Sequence, residues 1–295
     1  MQIYLAPEGL EPLLEDELSG HIQQRYGRLF VTAGEIPSYW SQNIWFDVQT
    51  FKFASISEAA RHLRSIQRNW WLHPVAFHRR AQLIQQQLPP FKRRELPFPT
   101  SLPTAPLGSW TLFDEHTLVY SARCSRLFPD GELRFQENKQ DPPSRAYLKL
   151  WEFFTLVGRH PSAGQKVIDL GSSPGGWTWV LDNLGAEVIS VDKAPLAPDL
   201  KLSNRVRMLS ESAFGLKPTA IGPLDWLFSD IICYPERLLE LIHLWEGHVR
   251  NMVCTIKFQG DAKHEIVREF LRLPGSQAMH LHHNKHELTW FRLKD

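Results

Sequence analysis

The chain has 295 residues, of which 43% are hydrophobic and 22% charged, with 33 basic against 32 acidic side chains. That balance belongs to ordinary folded protein and excludes disordered, collagenous and disulfide-scaffold classes; the length suggests two domains, or one with an appendage. Three widely spaced cysteines, Cys124, Cys233 and Cys254, with no C-x-x-C, exclude a disulfide framework and a cysteine-based zinc site and point to reduced thiols and a cytoplasmic address.

The opening segment, MQIYLAPEGLEPLLEDEL, lacks a basic region before an apolar stretch and is not expected to be a signal peptide. No apolar run approaches the roughly 20 residues that span a bilayer. Within it QIYLAP predicts a short strand and EPLLEDELSG a helix ended by Gly20. RLFVTAG and IWFDVQTFKF predict further strands and SISEAARHLRSIQR a helix, so residues 1–87 are expected to form a small α+β domain. The stretch from Leu88 to Pro106 carries six prolines, cannot continue a helix or central strand, and predicts an interdomain linker.

The net charge of +1 hides an asymmetry: residues 1–58 hold eight acidic and three basic side chains, whereas 59–94 hold eight basic and no acidic ones. The basic set is Arg61, Arg64, Arg68, Arg79, Arg80, Lys92, Arg93 and Arg94, interleaved with Trp70, Trp71, Phe77 and Phe91. Arg61, Arg64 and Arg68 recur at i, i+3 and i+7, one face of a helix. Such a patch either contacts phosphates, helped by aromatic stacking, or is a solvated face that offsets the acidic segment before it.

After the linker, SWTLFDEHTLVYSARC predicts two strands meeting at Asp114-Glu115-His116, and SRLFPDGELRF a hairpin about Pro129-Asp130-Gly131. Residues 88–142 are thus expected to be linker and hairpins. From Pro143 the pattern becomes regular. SRAYLKLWEFFTLV predicts a helix capped by Ser144, KVIDL a buried strand, GGWTWVLDNLG a helix, and AEVISVD a second strand. RVRML, DWLFSD and NMVCTIK follow as strands, with PERLLELIHLWEG and AKHEIVREFLR as helices and QAMHLH with ELTWFRL as a terminal strand pair. Strands alternating with helices at this spacing demand a mainly parallel sheet covered on both faces. The last connection is too short for a parallel crossover, so the last strand is expected to run antiparallel.

VIDLGSSPGGW, Val167 to Trp177, runs a strand through Asp169 into a small-residue turn and a helix, where backbone can approach a ligand closely. Ser173 and Pro174 break the G-x-G-x-x-G fingerprint, disfavouring a nicotinamide cofactor, and no G-K-[ST] P-loop is present. About 20 residues on, Asp192 ends the second strand, in position to accept hydrogen bonds from a ribose diol.

These residues carry a resemblance. DLGSSPGGW resembles the S-adenosylmethionine loop of FtsJ-like RNA ribose 2'-O-methyltransferases, D-L-G-x-x-P-G-G-[WF], and DPPSRAYLKLWEFF is similar to the corresponding helix of the bacterial branch that methylates a cytidine ribose in 23S rRNA, the RlmM type. The likeness runs on to Asp295. It implies a Rossmann-like methyltransferase domain over 143–295 that binds S-adenosylmethionine through Gly171, Ser172, Pro174, Gly175, Gly176 and Trp177, with Asp192 on the ribose. Asp169 and Asp230 belong with these cofactor contacts. Where the family keeps an acid against adenine, this chain has Ser212. The amino-terminal IYLAPEGLEPLLEDEL resembles the opening of the same type, whose first domain is ferredoxin-like. The RNA-binding THUMP domain that follows in those enzymes finds too few residues between the linker and Pro143.

Four charges converge by topology. Asp230 and Lys257 end parallel strands at the ligand-binding edge, and Glu287 begins the antiparallel strand at that same edge. Lys149 sits on the inward stripe of its helix with Ala146, Leu150 and Phe153, where a lysine requires partners. Lys149, Asp230, Lys257 and Glu287 resemble the K-D-K-E tetrad of the family one by one. Lys257 is the expected general base, oriented by Asp230, with Glu287 positioning Lys149 or the target ribose. The expected partner is RNA, most of all rRNA, with neither membrane nor metal; the spacing of His280, His282, His283 and His286 fits no common zinc signature. Two rivals stand beside this reading. One is a noncatalytic RNA-binding module that keeps the fold, which an intact tetrad opposes. The other is a methyltransferase for a non-RNA acceptor; the absence of an [ND]-P-P-[YF] motif disfavours base amino groups.

Overall fold

The computed structural model describes residues 1–258, 260 and 264–294. Its contacts divide the chain into Met1–Phe135 and Gln136–Asp295.

The first unit contains β1 (Gln2–Leu5), α1 (Glu11–Glu17), β2 (Ile22–Tyr26), β3 (Leu29–Thr32), β4 (Asn43–Phe46), β5 (Gln49–Lys52), α2 (Ile56–Ile66), β6 (Trp70–Leu72), α3 (His78–Gln85), β7 (Gly108–Asp114), β8 (Thr117–Ser121) and β9 (Arg123–Cys124). These build two sheets, β2-β3-β1-β4-β9 and β5-β8-β7-β6. IWFDVQTFKF, expected as one strand, breaks at Asp47, whose φ is +50°, and feeds β4 to one sheet and β5 to the other. An alternating apolar pattern continues through such a break and cannot reveal it. A βαββαβ ferredoxin-like order is not followed either, because β4 follows β3 with no helix between. Residues 38–40 of that connection are instead tied to Glu17, whose carboxylate accepts from Ser38 Oγ and the amides of Tyr39 and Trp40.

The proline-rich stretch is not an interdomain linker. β6 before it and β7 after it pair in parallel, Trp70 opposite Gly108, so the stretch is an excursion inside the first unit, and the domain boundary lies at 135–136 rather than at 87. Residues on both sides of it share one core, in which Ala59, Ala60 and Leu63 of α2 and Ile84 of α3 pack with Trp70, Trp110 and Leu118. Room for a second small α/β layer therefore comes from residues 49–121, not from the short span after the prolines. SRLFPDGELRF forms a 3-10 turn over Pro129–Gly131 instead of a hairpin. Asp130 takes a φ of +55°, and its carboxylate accepts from Trp71 Nε1 at 2.9 Å and lies 2.8 Å from His73 Nδ1, which anchors the turn to β6 and the residue after it.

The second unit contains α4 (Tyr147–Val157), β10 (Lys166–Leu170), α5 (Gly176–Asn183), β11 (Glu187–Val191), β12 (Val206–Leu209), β13 (Leu224–Ser229), α6 (Pro235–Trp245), β14 (Val249–Lys257), α7 (His264–Leu271), β15 (Ser276–Met279) and β16 (Glu287–Arg292). Ala262 and Lys263, where α7 was expected to begin, lie outside the described residues. The sheet order is β12-β11-β10-β13-β14-β16-β15, with the first five strands parallel and β16 antiparallel to both neighbours. This is a Rossmann-like, mostly parallel seven-stranded sheet with an antiparallel last strand, as expected. Val167, Ile168 and Leu170 of β10 are buried on both faces, contributing about 1.5–3 kcal/mol each. The chain moves outward from β10 through β11 to β12 and then returns to the other side at β13, so a crevice opens at the carboxyl ends of β10 and β13.

Two boundaries differ from expectation. The cap of α4 is Ala146, without a side-chain cap bond, and Ser144 lies before it and lines a cavity. β15 ends at Met279, so His280 and His282 lie in the connection and not on a strand face. Among the described residues no helix is long and apolar enough to cross a membrane.

Candidate active site

The turn from β10 into α5 requires two glycines for different reasons. Gly171 has φ +77°, and a Cβ there would stand 2.8 Å from Ile231 Cβ; Gly175 has φ +112°, and a Cβ would overlap Leu200. Beside the turn lies a cavity of about 360 Å³, lined by Asp169, Gly171, Trp177, Asp192, Asp230 and Lys257 among others. A second, of about 240 Å³, shares Gly171, Asp192 and Ile231 with it and is lined further by Ser212 and Phe214. Of the expected cofactor residues, Ser172, Pro174 and Gly176 also line the first cavity, Ser212 lines the second, and Gly175 lines neither, since its open side faces Leu200.

Asp192 already accepts two backbone amides, from Ser173 at 3.0 Å and Ala194 at 2.9 Å, which fix its carboxylate beside both cavities. Asp169 is buried; its Oδ2 accepts from Thr178 Oγ1 at 2.7 Å, while Oδ1 has no hydrogen-bond partner. Burial foremost, with the charges of Asp230 and Asp192, pushes its carboxyl up to about 7 against the hydrogen bond from Thr178. A buried, unpartnered carboxylate oxygen in a cavity-lining residue suits a cationic group on a ligand.

The four expected charges do come together. Lys149 Nζ lies 3.1 Å from Asp230 Oδ1 and 2.6 Å from Glu287 Oε1, and Lys257 Nζ lies 3.1 Å from Asp230 Oδ1 and donates to the Asp230 carbonyl. Their side chains are only 10–19% exposed. Burial alone would lower the Lys149 ammonium, but Asp230 and Glu287 outweigh it and raise its pKa above the ordinary value. Lys149 is thus held as a cation between two carboxylates, whereas Lys257 contacts one among the described residues. Asp230 and Lys257 also line the first cavity, so the cluster opens directly onto it.

One residue of this arrangement went unread in the sequence. Glu152, one turn after Lys149 on α4, is 2% exposed and accepts from the amides of His282 and His283, at 2.8 and 2.9 Å, and lies 2.6 Å from His283 Nδ1. It pins the connection that leads into Glu287. The available signal was a lone glutamate inside the apolar run LWEFF. Among the described residues no group of three or more His, Cys, Asp or Glu is arranged to hold a metal.

In the first unit, Arg61 and Arg64 are exposed on α2, but the helix ends at Ile66 and Arg68 lies beyond it, exposed. Arg79, Lys92 and Arg94 are exposed as well. Arg93 is committed internally, to Glu132 and to Asp130 at 3.2 Å, with its guanidinium over Trp71. Arg80 lies over Phe53 and bonds His116. Trp70 is wholly buried, its Nε1 donating to the Leu63 carbonyl, and offers no stacking face.

Residues 142–270 match the FtsJ-like methyltransferase family. The chain is 32% identical over 167 residues to the ribosomal RNA large subunit methyltransferase M of Thauera aminoaromatica, a match covering 50% of this chain and 45% of that one. It is 30% identical over 195 residues to the protein of the same name from Idiomarina loihiensis, covering 59% and 53%, and 34% identical over 174 residues to that from Halorhodospira halophila, covering 55% and 50%. The chain spans about half the length of the curated relatives it matches.

Proposed function

We propose that this chain, whose residues 142–270 are an FtsJ-like methyltransferase domain, methylates the 2'-hydroxyl of a ribose in RNA with S-adenosylmethionine, in the cytoplasm. The observation that carries the reading is the cluster of Lys149, Asp230, Lys257 and Glu287 opening onto the cavity beside the glycine turn. The names of the relatives support large-subunit rRNA as the substrate, and the resemblance a cytidine ribose.

S-adenosylmethionine, when bound, supplies an electrophilic methyl group. Asp169 would hold its ammonium, Asp192 its ribose hydroxyls, and the cavity lined by Ser212 its adenine. Lys149, fixed as a cation by two carboxylates, cannot accept a proton. Lys257, with one carboxylate partner among the described residues, is the base. Its neutral Nζ would take the proton of the ribose hydroxyl as the oxygen forms its bond to the methyl carbon and the methyl–sulfur bond breaks, the electron pair leaving on sulfur as a neutral thioether. Asp230 orients Lys257, and Glu287 orients Lys149. Arg61, Arg64, Arg68, Arg79, Lys92 and Arg94 are the candidates for phosphate contacts.

The test is incubation of the chain with methyl-labelled S-adenosylmethionine and an unmodified 23S rRNA transcript, followed by nucleoside analysis. Label in one 2'-O-methylated nucleoside is expected. Label on a base, or none in RNA, overturns the reading.

A further inference from the structure

Immediately after Asp230 the chain runs Ile231-Ile232-Cys233-Tyr234, and Pro235 opens α6. Side chains alternate: Cys233 and Pro235 are buried, whereas Ile232 is 79% and Tyr234 62% exposed, the two most exposed large hydrophobic residues among those described. Scattered exposed apolar residues need no explanation. Here two of them flank a buried cysteine beside the reacting centre, and Ile232 lines the same cavity as Asp230 and Lys257. The segment is held at one end by β13 and at the other by the first turn of α6, so its outward side chains stand on a fixed backbone.

Chemistry restricts what can meet this surface. A ribose whose 2'-oxygen approaches Lys257 carries its base on the adjacent carbon, so that base must lie at the rim of the crevice. Lys149, Asp230, Lys257 and Glu287 are engaged with one another, and the side chains exposed just beyond Asp230 are apolar and aromatic. Resting on the ribose-methylation reading, we propose that Tyr234 and Ile232 form the platform that receives the base of the target nucleotide, the base stacking on the Tyr234 ring with Ile232 packed against the sugar side. A tyrosine ring has only two side-chain torsions to lose, so it forfeits little conformational freedom when a base stacks on it.

Kinetics on the 23S rRNA transcript test the platform. Tyr234→Ala should lower kcat/KM for RNA by about 5- to 100-fold, the range expected for losing one base–aromatic stack, and Tyr234→Phe should restore it. Affinity for S-adenosylmethionine, measured by calorimetry, should stay within about twofold, because Tyr234 lines neither cavity. In parallel, a transcript substituted with 5-iodopyrimidines should crosslink to Tyr234 on irradiation. Tyr234→Ala with wild-type kcat/KM, or crosslinks confined to other residues, overturns the platform and leaves the methylation reading intact. A wild-type chain that methylates no RNA overturns that reading instead.

Discussion

Lys257 and Glu287 stand directly opposite each other across the antiparallel pair of β14 and β16, and each forms its ion pair with a different partner: Lys257 with Asp230 at 3.1 Å, Glu287 with Lys149 at 2.6 Å. The cluster is therefore a chain of alternating charges, Lys257–Asp230–Lys149–Glu287, in which Asp230 joins the two lysines. Removing Asp230 or Lys149 takes an ion pair from two neighbours and leaves the end of the chain beyond it without that partner, whereas removing Lys257 leaves both Lys149 contacts in place.

Substitution at Lys257 separates charge from proton transfer. Lys257→Ala should abolish methyl transfer, and Lys257→Arg should fail as well, because a guanidinium keeps the positive charge but does not release its proton near neutral pH. Losses on the order of 10²–10⁴ in kcat are expected for both, and about 10² or more for Lys149→Ala and Asp230→Ala. Single-turnover assays check this, with calorimetry confirming that the Lys257 variants still bind cofactor. A Lys257→Arg chain turning over at the wild-type rate would assign the base elsewhere.

Asp169 should make cofactor binding depend on pH. Its carboxyl is pushed up to about 7 by burial, so near pH 6 most of it is protonated. A ligand ammonium pairs with the ionised form, so the association constant should rise as pH increases toward 8 and level off above the shifted value, falling about tenfold per unit well below it. In the free chain the same raised pKa makes the ionised carboxylate a cost that grows as pH rises above the ordinary carboxylate range. Asp169→Asn should therefore gain stability relative to wild type between pH 5 and 8 while losing the pH dependence of cofactor affinity. Titration calorimetry at three pH values, with thermal melts alongside, checks both.

The second unit was legible because each of its signals is local and periodic: buried runs such as VIDL, a small-residue turn, and an antiparallel end forced by a short connection. That topology alone brought Asp230, Lys257 and Glu287 to one edge. The first unit was misread where structure depends on pairing across long separations. A single positive φ at Asp47 moves half of an apparent strand into another sheet, and the β6–β7 pair closes across six prolines. Arg68 fell off the helix that its spacing suggested because Gln67, in extended conformation, ends α2. Glu152 was hidden among apolar neighbours since its partners lie about 130 residues away.

Glu152 should prove structural in its acid response. Burial alone would raise its carboxyl, but His283 and the two loop amides outweigh that and hold it below the ordinary range. Its stabilisation is thus present above the unfolded-state value and is lost as pH falls through the lowered folded value. Glu152→Ala, which leaves three donors without an acceptor, should cost about 3–5 kcal/mol, and Glu152→Gln less. Denaturant melts at pH 7 and pH 4 test this: the gap between wild type and Glu152→Gln should narrow in acid. Because the connection leads into Glu287, the Gln variant should also lower kcat more than the KM for RNA.

The basic face of the first unit can be judged by salt. If Arg61, Arg64 and Arg68 neutralise phosphates, the logarithm of RNA affinity should fall with the logarithm of salt concentration by about 0.7–0.9 per contact. Replacing all three with glutamine should flatten the slope by up to about two to three units and weaken binding, with cofactor affinity untouched. All three side chains are exposed, and α2 buries Ala59, Ala60 and Leu63 on its other side, so the triple variant should fold normally. Arg93 offers an internal control of opposite sense: tied to Glu132 and Asp130, its replacement should lower the melting temperature while changing the salt slope little. Binding to rRNA fragments at several salt concentrations distinguishes the cases. A slope unchanged in the triple variant would leave the face as a solvated counterweight to the acidic residues that precede it.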